Sequence, residues 1–140
     1  MTMRISREQA RAWFGQARVA RLASADADGR PHLVPVVFAV RGEVVVTAVD
    51  HKPKRTPDLK RLRNIAANPE VSLLADHYSD DWDRLWWARA DGTAELAATA
   101  DHPDLVSALV DKYSQYRRTP PSGTLIVVRV HRWSGWAAQG

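Results

Sequence analysis

The spacing of apolar and polar residues changes period along the chain, and each change predicts an element. Ser6-Arg7-Glu8-Gln9 has the form of a capping box, and Ala10, Trp13, Phe14 and Ala17 follow at helical spacing. A short amphipathic helix is expected over Ser6–Gln16. Val19–Ala25 then reads as a strand, and Asp28-Gly29 signals a hairpin turn. His32–Val40 is a second strand. Pro35 within it has no N–H to give a ladder, which places that position at an edge, a bulge or a point facing a ligand. Arg41-Gly42 turns the chain into Glu43–Val49, a β-branched run typical of a buried strand. The three segments predict an antiparallel meander.

Asp50–Pro57 combines two prolines with a dense set of cations and is expected to be a loop. Asp58 is placed to cap a helix running to about Ala67, and Asn68-Pro69 stops it. Val71–Ala75 is a fourth strand and His77–Asp83 a polar loop. Leu85–Leu96 is a fifth strand, bent or turning at Asp91-Gly92. Asp101 and Pro103 start a helix that reaches about Tyr113. After the Thr119–Gly123 loop, Leu125–Val130 is a sixth strand leading into Trp133. There is no repeat and no linker, so residues 1–140 are expected to form a single domain. Six antiparallel strands with a few helices predict a mainly β fold, a small barrel with helical additions.

Composition narrows the function classes. The chain has 140 residues, 45% hydrophobic and 26% charged, as a soluble globular domain does. It has no cysteine, which excludes a disulfide framework, cysteine-ligated zinc, Fe–S clusters and a thiol nucleophile. This suits a reducing cytosol, and a cytoplasmic location is the expectation. No run of 18 apolar residues predicts a membrane span, and Met1–Arg11 is too polar for a signal peptide. The net charge of +4 favours an anionic partner. Six of the 20 lysines and arginines fall between Lys52 and Arg63, so the charge is concentrated at one point.

That cationic segment follows a strand and precedes a helix, a place where phosphates are held by side-chain cations and helix N–H groups. A solvated basic loop is the plainer reading of the same residues. Nucleic-acid binding would need cations spread along a groove with aromatics interleaved, and the tryptophans lie elsewhere; no nucleic-acid partner is expected. Trp86 and Trp87 are adjacent in a strand, so their rings point to opposite faces. One can enter the core, and the other must meet a partner surface, a ligand or solvent. Trp133 and Trp136 raise the same choice. The five histidines have no i, i+4 pair and no HExxH, and no metal site is expected. GxSxG, P-loop and GxGxxG motifs are absent. No side chain stands out as catalytic, so an enzymatic role would rest on a cofactor.

Taken in order, several segments resemble the split β-barrels related to pyridoxamine-phosphate oxidase. They are Val19-Ala20-Arg21-Leu22-Ala23-Ser24, Asp28-Gly29-Arg30-Pro31-His32-Leu33-Val34-Pro35-Val36-Val37-Phe38, Val44-Val45-Val46-Thr47, Asn64-Ile65-Ala66-Ala67-Asn68-Pro69, Val71-Ser72-Leu73-Leu74, and Trp87-Ala88-Arg89-Ala90-Asp91-Gly92-Thr93-Ala94. His51-Lys52-Pro53-Lys54-Arg55 and Arg132-Trp133-Ser134-Gly135-Trp136 resemble the subgroup that uses the deazaflavin coenzyme F420. The resemblance implies a six-stranded antiparallel split β-barrel and a homodimer with FMN or F420 at the subunit interface. Residue by residue, it implies that His32, Val34, Pro35 and Val36 line the ring and ribityl chain, with Val46 and Thr47 near the ribityl and phosphate. Trp87 would reach the cofactor from the partner, and Trp133 would border the ring.

For the phosphate, counting forward from Thr47 selects Lys52, Lys54 and Arg55, whereas counting back from Pro69 selects Lys60 and Arg61. The loop set is preferred because its cations can wrap an anion. The polyglutamate tail of F420 suits the local positive charge better than FMN, which ends at its phosphate. The expected function is therefore F420-dependent hydride transfer to a small molecule. An FMN-dependent oxidase or reductase of the same fold, or a haem- or cofactor-binding protein without turnover, are the alternatives.

Overall fold

A computed structural model describes residues 3–49 and 60–139 of the chain. Among them, eight strands and four helices follow in the order β1 (Met3–Arg4), α1 (Arg7–Gln16), β2 (Ala20–Ala25), β3 (Pro31–Val36), β4 (Ala39–Arg41), β5 (Val44–Ala48), α2 (Lys60–Ala67), β6 (Glu70–His77), β7 (Trp86–Ala98), α3 (Pro103–Lys112), α4 (Ser114–Arg118) and β8 (Thr124–Ala137). All pairings are antiparallel, in the order β3-β2-β6-β7-β8-β5-β4, with β1 added to β8. The architecture is the mainly β barrel with helical additions read from the sequence.

Two of the eight strands were not separate in the six-strand expectation. The His32–Val40 run breaks at Val37-Phe38 into β3 and β4, so the expected meander is interrupted. β3 stays on β2 as the end strand of the sheet, and β4 turns away to pair with β5. Tyr113 holds the break: its hydroxyl accepts from Phe38 N at 3.1 Å and lies 2.9 Å from Phe38 O and 3.0 Å from Arg18 O. The other addition, β1, is two residues long and carries no periodicity of its own.

The sequence signals at element ends act as physical chemistry predicts. Ser6 Oγ accepts from Gln9 N at 3.1 Å, which satisfies one orphan donor of α1. Gly29 has φ 84°, a left-handed turn position that glycine takes without a Cβ clash. Asp26 completes that loop by accepting from both Asp28 N and Arg30 N.

Two cores result. The first lies between the inner sheet face and α1, where Phe14 meets Phe38 and Trp133 at centroid distances of 4.7 and 5.5 Å. The second packs Leu105, Leu109 and Tyr113 against Ala39, Val46, Leu125 and Val127.

At Asp91-Gly92 the chain neither turns nor stops; the β7–β8 register slips there by one residue. Gly92 pairs with Val130 and Asp91 with Arg132, leaving His131 as the extra residue of a bulge. The slip reverses the alternation of β8. Ile126, Val128 and Val130 face the first core before it, and Trp133 and Ala137 after it. Arg132, Ser134 and Trp136 therefore come out beside Arg89 and Trp87.

Candidate functional site

Two concave surfaces collect the residues singled out from the sequence. The first is a cavity of about 270 Å³ at the split in the barrel. Pro35, Val36 and Val37 form one wall, Thr47 and Ala48 the other, and Arg61 of α2 and Tyr116 of α4 complete it. Thr47 is buried, and its hydroxyl donates to Val37 O at 2.7 Å, which ties the two walls together. An apolar strand wall suits a flat ring, and a guanidinium at its end suits a phosphate. The residues present fit such a group.

The sequence-predicted residues divide around this cavity. Pro35, Val36, Thr47 and Arg61 meet in it. Val34 lies on the other side of β3 from Pro35 and packs against the first core, and His32 shares its parity. His32 has a buried Nδ1 with no hydrogen-bond partner among the described residues. Val46 is fully buried in the second core. Lys60 points elsewhere, with its Nζ 3.9 Å from Asp26. The Arg30 N–H above all holds the Asp26 carboxyl below the usual range, against an opposing push from burial; the Asp28 N–H and the Arg30 and Lys60 charges add to the lowering. Lys52, Lys54 and Arg55, with the Asp58 cap, lie outside the described residues.

The second surface is a basin of about 480 Å³ on the outer face of β7 and β8. Trp87 and Trp136 are cross-strand partners on this face. Arg4, Arg7, Arg89 and Arg132 bring four guanidinium groups to it from β1, α1, β7 and β8. Arg89 is fixed by Asp91 at 3.1 Å and lies 5.6 Å from the centre of the Trp87 ring. Arg7 reaches Glu43 at 3.3 Å, a carboxylate shared with Arg11 at 2.6 Å. Arg4 and Arg132 have no carboxylate within 4 Å among the described residues. Trp86, on the opposite face from Trp87, packs on Trp13 with centroids 5.3 Å apart. Trp133 borders the basin, but its ring belongs to the first core, and its Nε1–H donates to Glu43 Oε1 at 3.2 Å.

Sequence reading missed Tyr116 of the cavity and, as candidate site residues, all four basin arginines. The β8 bulge and the two-residue β1 gather those arginines across more than 120 positions of chain, and no local spacing announces that. No group of three His, Cys, Asp or Glu side chains that could hold a metal ion occurs among the described residues.

The comparison with family profiles decides the kinship: the profile described as pyridoxamine 5'-phosphate oxidase matches residues 6–137. The chain belongs to the pyridoxamine 5'-phosphate oxidase family. Similar solved structures cover nearly its whole length. An FAD-binding protein from Mesorhizobium loti superposes with a TM-score of 0.73 at 19% identity, covering 97% of each chain. The FAD-binding protein from Mycobacterium smegmatis gives 0.66 at 17% identity, covering 95% of each chain. The haem storage protein HutZ from Vibrio cholerae gives 0.69 at 14% identity, covering 89% of each chain. At these identities the likeness shows the fold. Comparison with curated proteins finds no match. No helix among the described residues is long and apolar enough to cross a membrane.

Proposed function

We propose that the chain is a flavin- or deazaflavin-dependent oxidoreductase that holds the cofactor's phosphate and ribityl chain in the cavity between Pro35–Val37 and Thr47–Ala48. One observation carries this reading: Arg61 shares an open-sided cavity with an apolar strand wall and a buried threonine. The flavin-binding relatives of the same fold support it. F420 is the preferred cofactor and FMN the alternative, because six cations crowd the segment from Lys52 to Arg63. Such a cofactor, when bound, supplies hydride transfer, and the protein supplies binding, orientation and exclusion of water. Arg61 neutralises the phosphate. Thr47 keeps the Val37 carbonyl engaged, which fixes the wall against which a ring lies.

The active unit in this proposal is a homodimer. The outer sheet face presents Leu33, which is 66% exposed, together with Leu74, Trp87 and Trp136 on neighbouring strands. An apolar face of that kind suits a two-fold partner. Pairing would bring the partner's basin, with its tryptophans and arginines, over the open side of the cavity.

The test is a titration of the purified protein with F420, FMN and haem, repeated with Arg61→Ala and Lys60→Ala. Arg61→Ala should weaken F420 or FMN binding about ten- to a hundred-fold, the worth of a hydrogen bond to a charged group. Lys60→Ala should change it little. Uptake of haem alone, or indifference of flavin binding to Arg61, would overturn the assignment.

A further inference from the structure

The basin on the outer face of β7 and β8 holds a polar atom that the fold does not satisfy. Ser134 Oγ is buried and has no hydrogen-bond partner among the described residues. A hydroxyl left this way costs free energy, and its removal would relieve that cost. Ser134 lines the basin because of the bulge in β8. With His131 in register, strand alternation would turn Ser134 toward the first core.

The neighbours of this hydroxyl are arranged as donors. Ser134 pairs across the strands with Arg89. Asp91 grips Arg89 through Nε at 3.1 Å, and Ser72 Oγ donates to the other oxygen of Asp91 at 2.6 Å. The two terminal NH2 groups of Arg89 keep no hydrogen-bond partner among the described residues. A steadied guanidinium and a free hydroxyl thus stand on one cross-strand pair, and together they match the two oxygens of a carboxylate. Arg132, two residues back along β8, and Arg4, the β1 partner of Trp136, are exposed and add positive charge on either side.

Trp87 and Trp136 form the next pair on the same face, two residues from Arg89 and Ser134. At roughly 3.3 Å per residue the two rows lie about 7 Å apart, about the length of an aromatic ring bearing a carboxylate. A small inorganic anion would leave the indoles unused. An uncharged aromatic molecule would cover the guanidinium and the hydroxyl without giving them a partner. The basin, at about 480 Å³, has the size of a small-molecule site.

We propose that the basin binds a flat aromatic carboxylate, with the carboxylate on Arg89 and Ser134 and the ring against Trp87 and Trp136. The inference goes beyond the cofactor reading. Its donors and rings all belong to one chain, Arg61 has no part in it, and no cofactor is needed for the ligand to bind.

The experiment is isothermal titration calorimetry of the full-length protein with naphthalene-2-carboxylate and with the uncharged 2-naphthylmethanol. The acid should bind at one site per chain, and the alcohol about ten- to a hundred-fold more weakly. Arg89→Gln and Ser134→Ala should each weaken the acid by a similar factor. Arg118→Gln, which removes an equal charge from exposed α4, and Arg61→Ala should leave it unchanged. Ser134→Ala should hold or raise the melting temperature of the ligand-free protein, because it removes an unsatisfied hydroxyl; a fall would show that the hydroxyl serves the fold and would overturn the assignment. So would equal binding of acid and alcohol, no saturable binding at millimolar concentration, or a loss in Arg118→Gln as large as in Arg89→Gln. None of these results bears on flavin binding through Arg61, so the two readings stand or fall separately.

Discussion

Lys112, the last residue of α3, makes an unusual demand on its surroundings. Its Nζ lies 3.8 Å from the centre of the Phe38 ring and 5.3 Å from that of Tyr113. The atom is buried and has no hydrogen-bond partner among the described residues. Burial, with the nearby Arg18 charge as a second cause, lowers its pKa from the ordinary 10.5 to about 8. At about 1.4 kcal/mol per tenfold, that fall corresponds to about 3 kcal/mol of unfavourable charging in the folded state. Water reaches part of the side chain and screens some of this, and the Phe38 face returns about 0.5–2 kcal/mol to the cation. A net cost of about 1 kcal/mol remains. Lys112→Met keeps the length of the stem and removes the charge. It should therefore stabilise the protein by about 1 kcal/mol at pH 7.

The sign fixes the pH dependence. The folded pKa lies below the unfolded one, so the unfolded chain binds the proton more tightly. The cost is complete below about pH 8 and fades as pH rises toward 10.5. Urea unfolding of both proteins at intervals from pH 7 to 10.5 measures the difference, in which the groups common to both cancel. The advantage of methionine should shrink across this window. A methionine variant less stable than wild type at pH 7, or a difference that stays flat to pH 10.5, would refute the reasoning.

Other outcomes follow from single contacts. Tyr113→Phe strands Phe38 N–H in the interior and should cost about 1–3 kcal/mol, read as a lower denaturant midpoint with an unchanged m-value. Gly92→Ala would put a Cβ 2.3 Å from Arg129 O at the bulge, and the required backbone shift should cost about 1–3 kcal/mol in thermal unfolding. Light scattering at micromolar concentration should give the mass of a dimer, and Trp87→Glu on the apolar sheet face should shift it toward the monomer.

Elements with strong local chemistry were legible in the sequence. Ser6 and Gln9 marked α1, Asp28-Gly29 marked the β2–β3 turn, and the Val44–Thr47 run marked a buried strand. What was not legible depends on contacts between distant residues. The break at Val37-Phe38 is held by Tyr113, 75 residues away. α4 is five residues long and shows no apolar period, yet it supplies Tyr116 to the cavity. The opposed faces of Trp86 and Trp87 followed from strand alternation alone. The outward turn of Arg132 and Trp136 did not, because it depends on His131 dropping out of register. Of the two cation counts, the one taken back from Pro69 selects Lys60 and Arg61, of which Arg61 lines the cavity; the residues of the forward count, Lys52, Lys54 and Arg55, lie outside the described residues.

The end position of β3 has a consequence for the behaviour of the protein at high concentration. Backbone groups of alternate residues point to the same side of a strand, and a proline cannot donate to a ladder. Pro31 and Pro35 pair with Ala25 and Arg21 in register, so their parity, shared by Leu33, is the one that faces away from β2. Along that free margin only Leu33 offers an N–H. An invading strand from another molecule would find carbonyl acceptors but almost no donors, and could form only every other bond of a ladder. The two prolines thus guard an edge whose neighbour Leu33 is apolar and exposed, and they leave side-chain packing, rather than strand addition, as the route by which the proposed dimer would form.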